Sequence, residues 1–67
     1  MSIMGVAKGW RFKFYWNKPQ EYVTYVELGM MFIAEVVKQA MMYCQTKEHL
    51  TKIDVYNGTK LRFTVYR

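Results

Sequence analysis

Residues Trp10-Arg11-Phe12-Lys13-Phe14-Tyr15-Trp16 alternate strictly between large apolar groups and basic or hydroxyl-bearing ones. A β-strand turns successive side chains to opposite sides, so this pattern predicts a strand over 10–16. Trp10, Phe12, Phe14 and Trp16 would face a core, and Arg11, Lys13 and Tyr15 would face water. The run from Lys60 to Arg67 repeats the theme, with Leu61, Phe63 and Val65 set against Lys60, Arg62, Thr64 and Tyr66. Between them, Glu21-Tyr22-Val23-Thr24-Tyr25-Val26 is β-branched and aromatic, a strand composition. Asn17-Lys18-Pro19-Gln20 reads as the connecting turn, because proline fixes φ and has no N–H for a ladder. A four-residue loop there pairs Phe14 with Val23 and Phe12 with Tyr25. One competing pattern exists: Thr24-x-x-Glu27 is a capping box that would start a helix near Tyr25. The strand composition favours a strand, with Gly29 separating it from a helix that begins near Met30.

Residues 30–47 carry the helical period. At 100° per residue Met30, Ile33, Val37, Ala40, Met41 and Cys44 cluster, flanked by Val36 and Tyr43. Glu35, Lys38, Gln39, Gln45 and Thr46 lie opposite. Met31 and Met42 break the pattern by falling on the polar side, in the stripe Met31, Glu35, Lys38, Met42. After a polar exit loop at 46–51 comes a hairpin. A three-residue loop, Tyr56-Asn57-Gly58, with Gly58 at positive φ, pairs Ile53 with Leu61 and sets Asp54 opposite Lys60. A two-residue turn at Asn57-Gly58 would mix the two faces, so the three-residue loop is preferred.

The expected fold class is therefore α+β: a small antiparallel sheet of three or four strands, in the order β-β-α-β-β, with one amphipathic helix packed on one face. The helix would cover Phe12, Phe14, Val23, Ile53, Leu61, Phe63 and Val65. The open face would show Arg11, Lys13, Tyr15, Tyr22, Lys52, Asp54, Lys60, Arg62 and Tyr66.

Size and composition sharpen this picture. Sixty-seven residues make a single domain, 1–67, with residues 1–8 as a loosely held lead-in. A chain of this length buries only about 60% of its unfolded surface. The single cysteine, Cys44, rules out an internal disulfide and fits a reducing, cytoplasmic setting. Yet 52% of the residues are hydrophobic and 18% aromatic, more than one helix and a small sheet hide easily. A homodimer is the expected remedy. The longest uncharged apolar run, Leu28 to Ala34, is far short of the roughly 20 residues a spanning helix needs, so no membrane segment is expected. The N-terminus lacks the pattern of a signal peptide. A net charge of +5 draws the protein toward nucleic acid or an acidic protein surface, although no run of Lys or Arg concentrates it.

Little in the chain carries chemistry. Cys44 falls on the apolar helix side, His49 in a polar loop, and the five carboxylates form no pair placed for acid–base work. No phosphate loop, metal cluster or cofactor motif appears, so the chain is read as no enzyme, with no metal and no cofactor. The expected function is that of a small binding module which occupies a surface of a protein partner and self-associates. Small accessory and inhibitor proteins, viral ones among them, share this size and composition. The expected partner-binding residues are Met31, Glu35, Lys38 and Met42, since methionine suits adaptable contacts. The alternative is a nucleic-acid surface, with Arg11, Lys13, Lys60 and Arg62 on phosphates and Tyr15 and Tyr66 stacking on bases.

Overall fold

A computed structural model of the chain describes residues 9–67, and the expected lead-in at 1–8 lies outside the described residues. The elements run β1 (Trp10–Trp16), β2 (Tyr22–Gly29), α1 (Ile33–Thr46), β3 (Leu50–Asn57) and β4 (Lys60–Tyr66). The expected β-β-α-β-β order is the observed one. The four strands form one sheet in the order β2-β1-β3-β4, with every neighbouring pair antiparallel.

The core forms along the two central strands. Trp10, Phe12 and Phe14 of β1 and Leu50, Ile53 and Val55 of β3 are buried in one cluster with Val36, Ala40 and Cys44 of α1. Each large side chain removed from water in this way contributes about 1.5–3 kcal/mol before chain entropy is set against it. Phe12, Phe14 and Tyr43 tighten the cluster through tilted and edge-on ring contacts, with centroids 5.4–6.2 Å apart. The side of the sheet carrying these groups is called inner below, and the opposite side outer. Neither β2 nor β4 contributes a buried side chain.

Three details differ from the sequence expectation, each for an identifiable reason. The β1–β2 loop spans five residues, 17–21, so Trp16 meets Tyr22 and Phe14 meets Thr24 rather than Val23. A one-residue slip reverses every side chain. Val23 and Tyr25 therefore share the outer side with Lys13 and Tyr15, and Tyr22 moves to the inner side. The helix begins at Ile33 and buries Val36, Ala40 and Cys44, so the buried stripe is centred one position away from Ile33 and Met41, which stay exposed. The third difference lies in the last hairpin, where Asn57 pairs with Lys60 and Tyr56 with Leu61. A bulge then brings Val55 opposite Phe63 and Asp54 opposite Thr64. Leu61 thus falls in the outer row, and Lys60 does not face Asp54. Gly58 takes the expected positive φ, 65°, within a turn one residue shorter than expected.

Thr24 and Glu27 do not cap a helix. Thr24 Oγ1 accepts the Trp16 indole N–H at 2.8 Å, and Glu27 pairs with Arg11 at 2.6 Å. The strand runs on to Gly29, whose φ of 76° suits only glycine and ends β2. The Trp10 indole N–H donates to the Met31 carbonyl at 3.0 Å, anchoring the link into α1. At the far end Arg67 donates from Nη1 to the carbonyls of Cys44 and Lys47, a cationic cap on a helix whose last turn carries no basic residue.

Candidate binding surface

The outer side of the sheet is ordered in three cross-strand rows. Glu27, Arg11, Tyr56 and Leu61 form one; Tyr25, Lys13, Asp54 and Thr64 the next; Val23, Tyr15, Lys52 and Tyr66 the third. Within them Tyr and Lys interleave. The Lys13 ammonium lies 5.1 Å from the Tyr15 ring centroid and 5.9 Å from that of Tyr25. Lys52 lies 4.5 Å from the Tyr15 ring and 5.8 Å from Tyr66. The result is a diagonal stripe, Tyr25–Lys13–Tyr15–Lys52–Tyr66, in which each ammonium rests against two electron-rich ring faces. Its ends are open: Tyr25 is 56% and Tyr66 70% exposed. Lys13 titrates above the ordinary lysine value, chiefly through hydrogen bonding toward Tyr15, with desolvation opposing and the charges of Tyr15, Tyr25 and Tyr56 adding less.

Asp54 sits under this stripe and is only 8% exposed. Its carboxylate accepts the Tyr15 hydroxyl at 2.7 Å on one oxygen and the Thr64 hydroxyl at 2.7 Å on the other. These bonds orient Tyr15 at the centre of the stripe, and no buried polar side-chain atom among the described residues lacks a partner.

The expected nucleic-acid set is only partly assembled. Lys13, Tyr15 and Tyr66 join the stripe, together with Lys52 and Tyr25. Arg11 stands at its margin, engaged by Glu27. Lys60 and Arg62 are exposed at the β3–β4 turn and beside the bulge, away from the stripe. The expected partner-binding set is divided. Glu35, Lys38 and Met42 are exposed on α1, whereas Met31 precedes the helix and packs against the core.

A second surface escaped the sequence reading. Most of the large apolar side chains left exposed fall between residues 22 and 33: Tyr22, Val23, Tyr25, Val26, Met30, Phe32 and Ile33. Tyr22 and Val26 lie on the inner side of β2, Met30 and Phe32 in the link that follows it, and Ile33 at the start of α1; Phe32 is 88% exposed. Tyr22 stacks on Trp16 at 6.1 Å and 16°. One readable signal would have located the strip, because setting Glu27 opposite Arg11 fixes the β1–β2 register.

A shallow groove lined by Met41, Cys44, Gln45, Val65, Tyr66 and Arg67 holds the sole thiol. That thiol points to the Val65 carbonyl at 3.7 Å, and burial pushes its pKa up, partly opposed by Arg67. No three His, Cys, Asp or Glu side chains among the described residues converge as metal ligands. No helix among the described residues is long and apolar enough to cross a membrane. No protein-family model, curated protein or solved structure matches the chain.

Proposed function

We propose that this chain is a small non-catalytic binding module that acts by occupying a surface of a protein partner. The observation that carries the reading is the exposed apolar strip of Tyr22, Val26, Met30, Phe32 and Ile33. A concentration of exposed apolar side chains in one segment of a small chain supports a contact site, and its aromatic content matches the anchors that dominate protein interfaces. This reading takes the helix as a cover for the inner side of β3 and β4, which leaves the inner side of β2 to the partner. Binding retained on immobilised wild-type chain and lost on a Val26→Ser/Phe32→Ser variant, with Lys13→Ala/Lys52→Ala unaffected, is the expected result. Equal retention by all three would overturn the assignment.

A second reading rests on the tyrosine–lysine stripe, whose ammonium groups and open terminal rings suit a single-stranded nucleic acid. Anisotropy titrations of labelled single- and double-stranded oligonucleotides test it. Binding that survives near-physiological salt, weakens in Lys13→Ala/Lys52→Ala and shows a salt slope reduced by about one per lysine would favour this reading.

A further inference from the structure

The backbone of β2 is as informative as its side chains. The Gly9 carbonyl accepts the Gly58 N–H at 2.8 Å, which extends the Trp10–Asn57 register as a hydrogen-bonded pair. Such pairs recur every second residue, so Arg11, Lys13 and Tyr15 bond toward β3, and Phe12, Phe14 and Trp16 bond toward β2. The Arg67 N–H on the Thr51 carbonyl, 3.0 Å, gives the same parity from β4. On β2, then, Tyr22, Thr24 and Val26 are tied to β1. Val23, Tyr25 and Glu27 aim their N–H and C=O groups outward, where no strand follows among the described residues.

Sheet edges normally carry guards such as lysines, prolines or bulges. The opposite edge, β4, has Lys60, Arg62 and a bulge. β2 has none of these over Tyr22–Glu27: its register there is regular, and its one charge, Glu27, is neutralised by Arg11.

We infer that β2 pairs with β2 of a second copy, antiparallel about a two-fold axis, joining two four-stranded sheets into one. This rests on the binding-module reading and adds a partner for its edge. Facing residues must share a side and outward-facing groups must meet, which leaves three central registers. One centred on Thr24 sets Glu21 against Glu27 of the other copy, a like-charge clash. One centred on Val26 sets the Tyr25 ring against Glu27 and draws Gly29, at positive φ, into the ladder. The register centred on Tyr25 keeps Glu21 away from Glu27 and, with its ladder confined to Val23–Glu27, stops short of Gly29, at the cost of setting Val23 against Glu27. It forms about six inter-strand hydrogen bonds through Val23, Tyr25 and Glu27, and makes the stripe that ends at Tyr25 continuous across the axis.

A position on a two-fold axis faces itself, and the test uses this. Sedimentation at high micromolar concentration should give twice the 8.1 kDa chain mass for wild type. Tyr25→Glu and Tyr25→Lys should each halve it, and an equimolar mixture of the two should restore it. Hydrogen exchange on the wild type needs no variant: the amides of Val23, Tyr25 and Glu27 should slow at least about tenfold between low and high micromolar concentration. A monomeric wild type overturns the proposal, as does a dimer with those amides unprotected or a mixture that stays monomeric. Their protection in a monomer also overturns it, assigning the edge to an intramolecular occupant. Loss of the dimer alongside intact, Phe32-dependent partner binding would remove the two-fold and leave the binding module standing.

Discussion

Asp54 shows how one buried carboxylate shapes a surface. Its two oxygens take the Tyr15 and Thr64 hydroxyls, so removing the carboxylate leaves two donors without an acceptor in a half-buried place. An unsatisfied buried polar group costs about 1–3 kcal/mol. Asp54→Ala should therefore destabilise by about that much in urea unfolding, while Asp54→Asn, which keeps one acceptor, should cost less. The Tyr15 ring should also lose its fixed position in the Ala variant, visible as a weakened near-ultraviolet signal. Cys44 gives a second expectation at this scale. Burial favours its neutral thiol, so its folded pKa lies above the unfolded one. The stability linked to it is fully present below the unfolded pKa and is lost as pH rises through the folded one. Native protein should react with a thiol reagent far more slowly than unfolded protein, and Cys44→Ala should lose less stability than wild type on the alkaline side.

Among the elements, α1 depends on a residue distant in sequence. Its C-terminus has no basic group in its own last turn, and Arg67 supplies one across the carbonyls of Cys44 and Lys47. Arg67→Ala should cost about 1 kcal/mol, read as a lower urea midpoint at unchanged slope. Legibility also differed by element, for physical reasons. In β1 one row is wholly apolar and the other basic or hydroxyl-bearing, so its bounds and sides were readable from sequence. In β2 apolar groups occupy both sides, Tyr22 and Val26 on one and Val23 and Tyr25 on the other, so alternation could not choose a register. Loop length decided it, and was one residue short. Charge pairing would have rescued that hairpin through Arg11 and Glu27, but it misled the last one, where Asp54 is satisfied by hydroxyls instead of Lys60. In α1 apolar residues span more than half the circumference, and the edge-on packing of Tyr43 against Phe12 and Phe14 selects which of them go inside. The apolar strip was hidden for the same reason as the β2 register.

At the scale of the whole fold the governing fact is that, among the described residues, every buried apolar side chain belongs to β1, β3 or α1. β2 is held by its ladder, one exposed ion pair, the Trp16 contacts, the Lys13 ammonium near Tyr25 and the half-buried Leu28 against the core, a weaker hold than buried side chains would give, since an exposed pair contributes about 0–1 kcal/mol. A chain of 67 residues with so narrow a core is marginal alone. Association through β2 gives the least supported strand a second ladder, so folding and pairing are coupled by mass action. The wild-type Tm should accordingly rise with protein concentration. For a domain this small each kcal/mol of added stability is about 4–8 °C, so a hundredfold increase in concentration should shift the midpoint by several degrees. Tyr25→Glu, which puts two carboxylates face to face on the axis but offers Lys13 a partner within its own chain, should melt at one temperature whatever its concentration. A wild-type Tm that does not move with concentration would mean that β2 is stable without a second ladder. The exposed apolar side chains between Tyr22 and Ile33 would then be the surface that accounts for the chain's apolar excess.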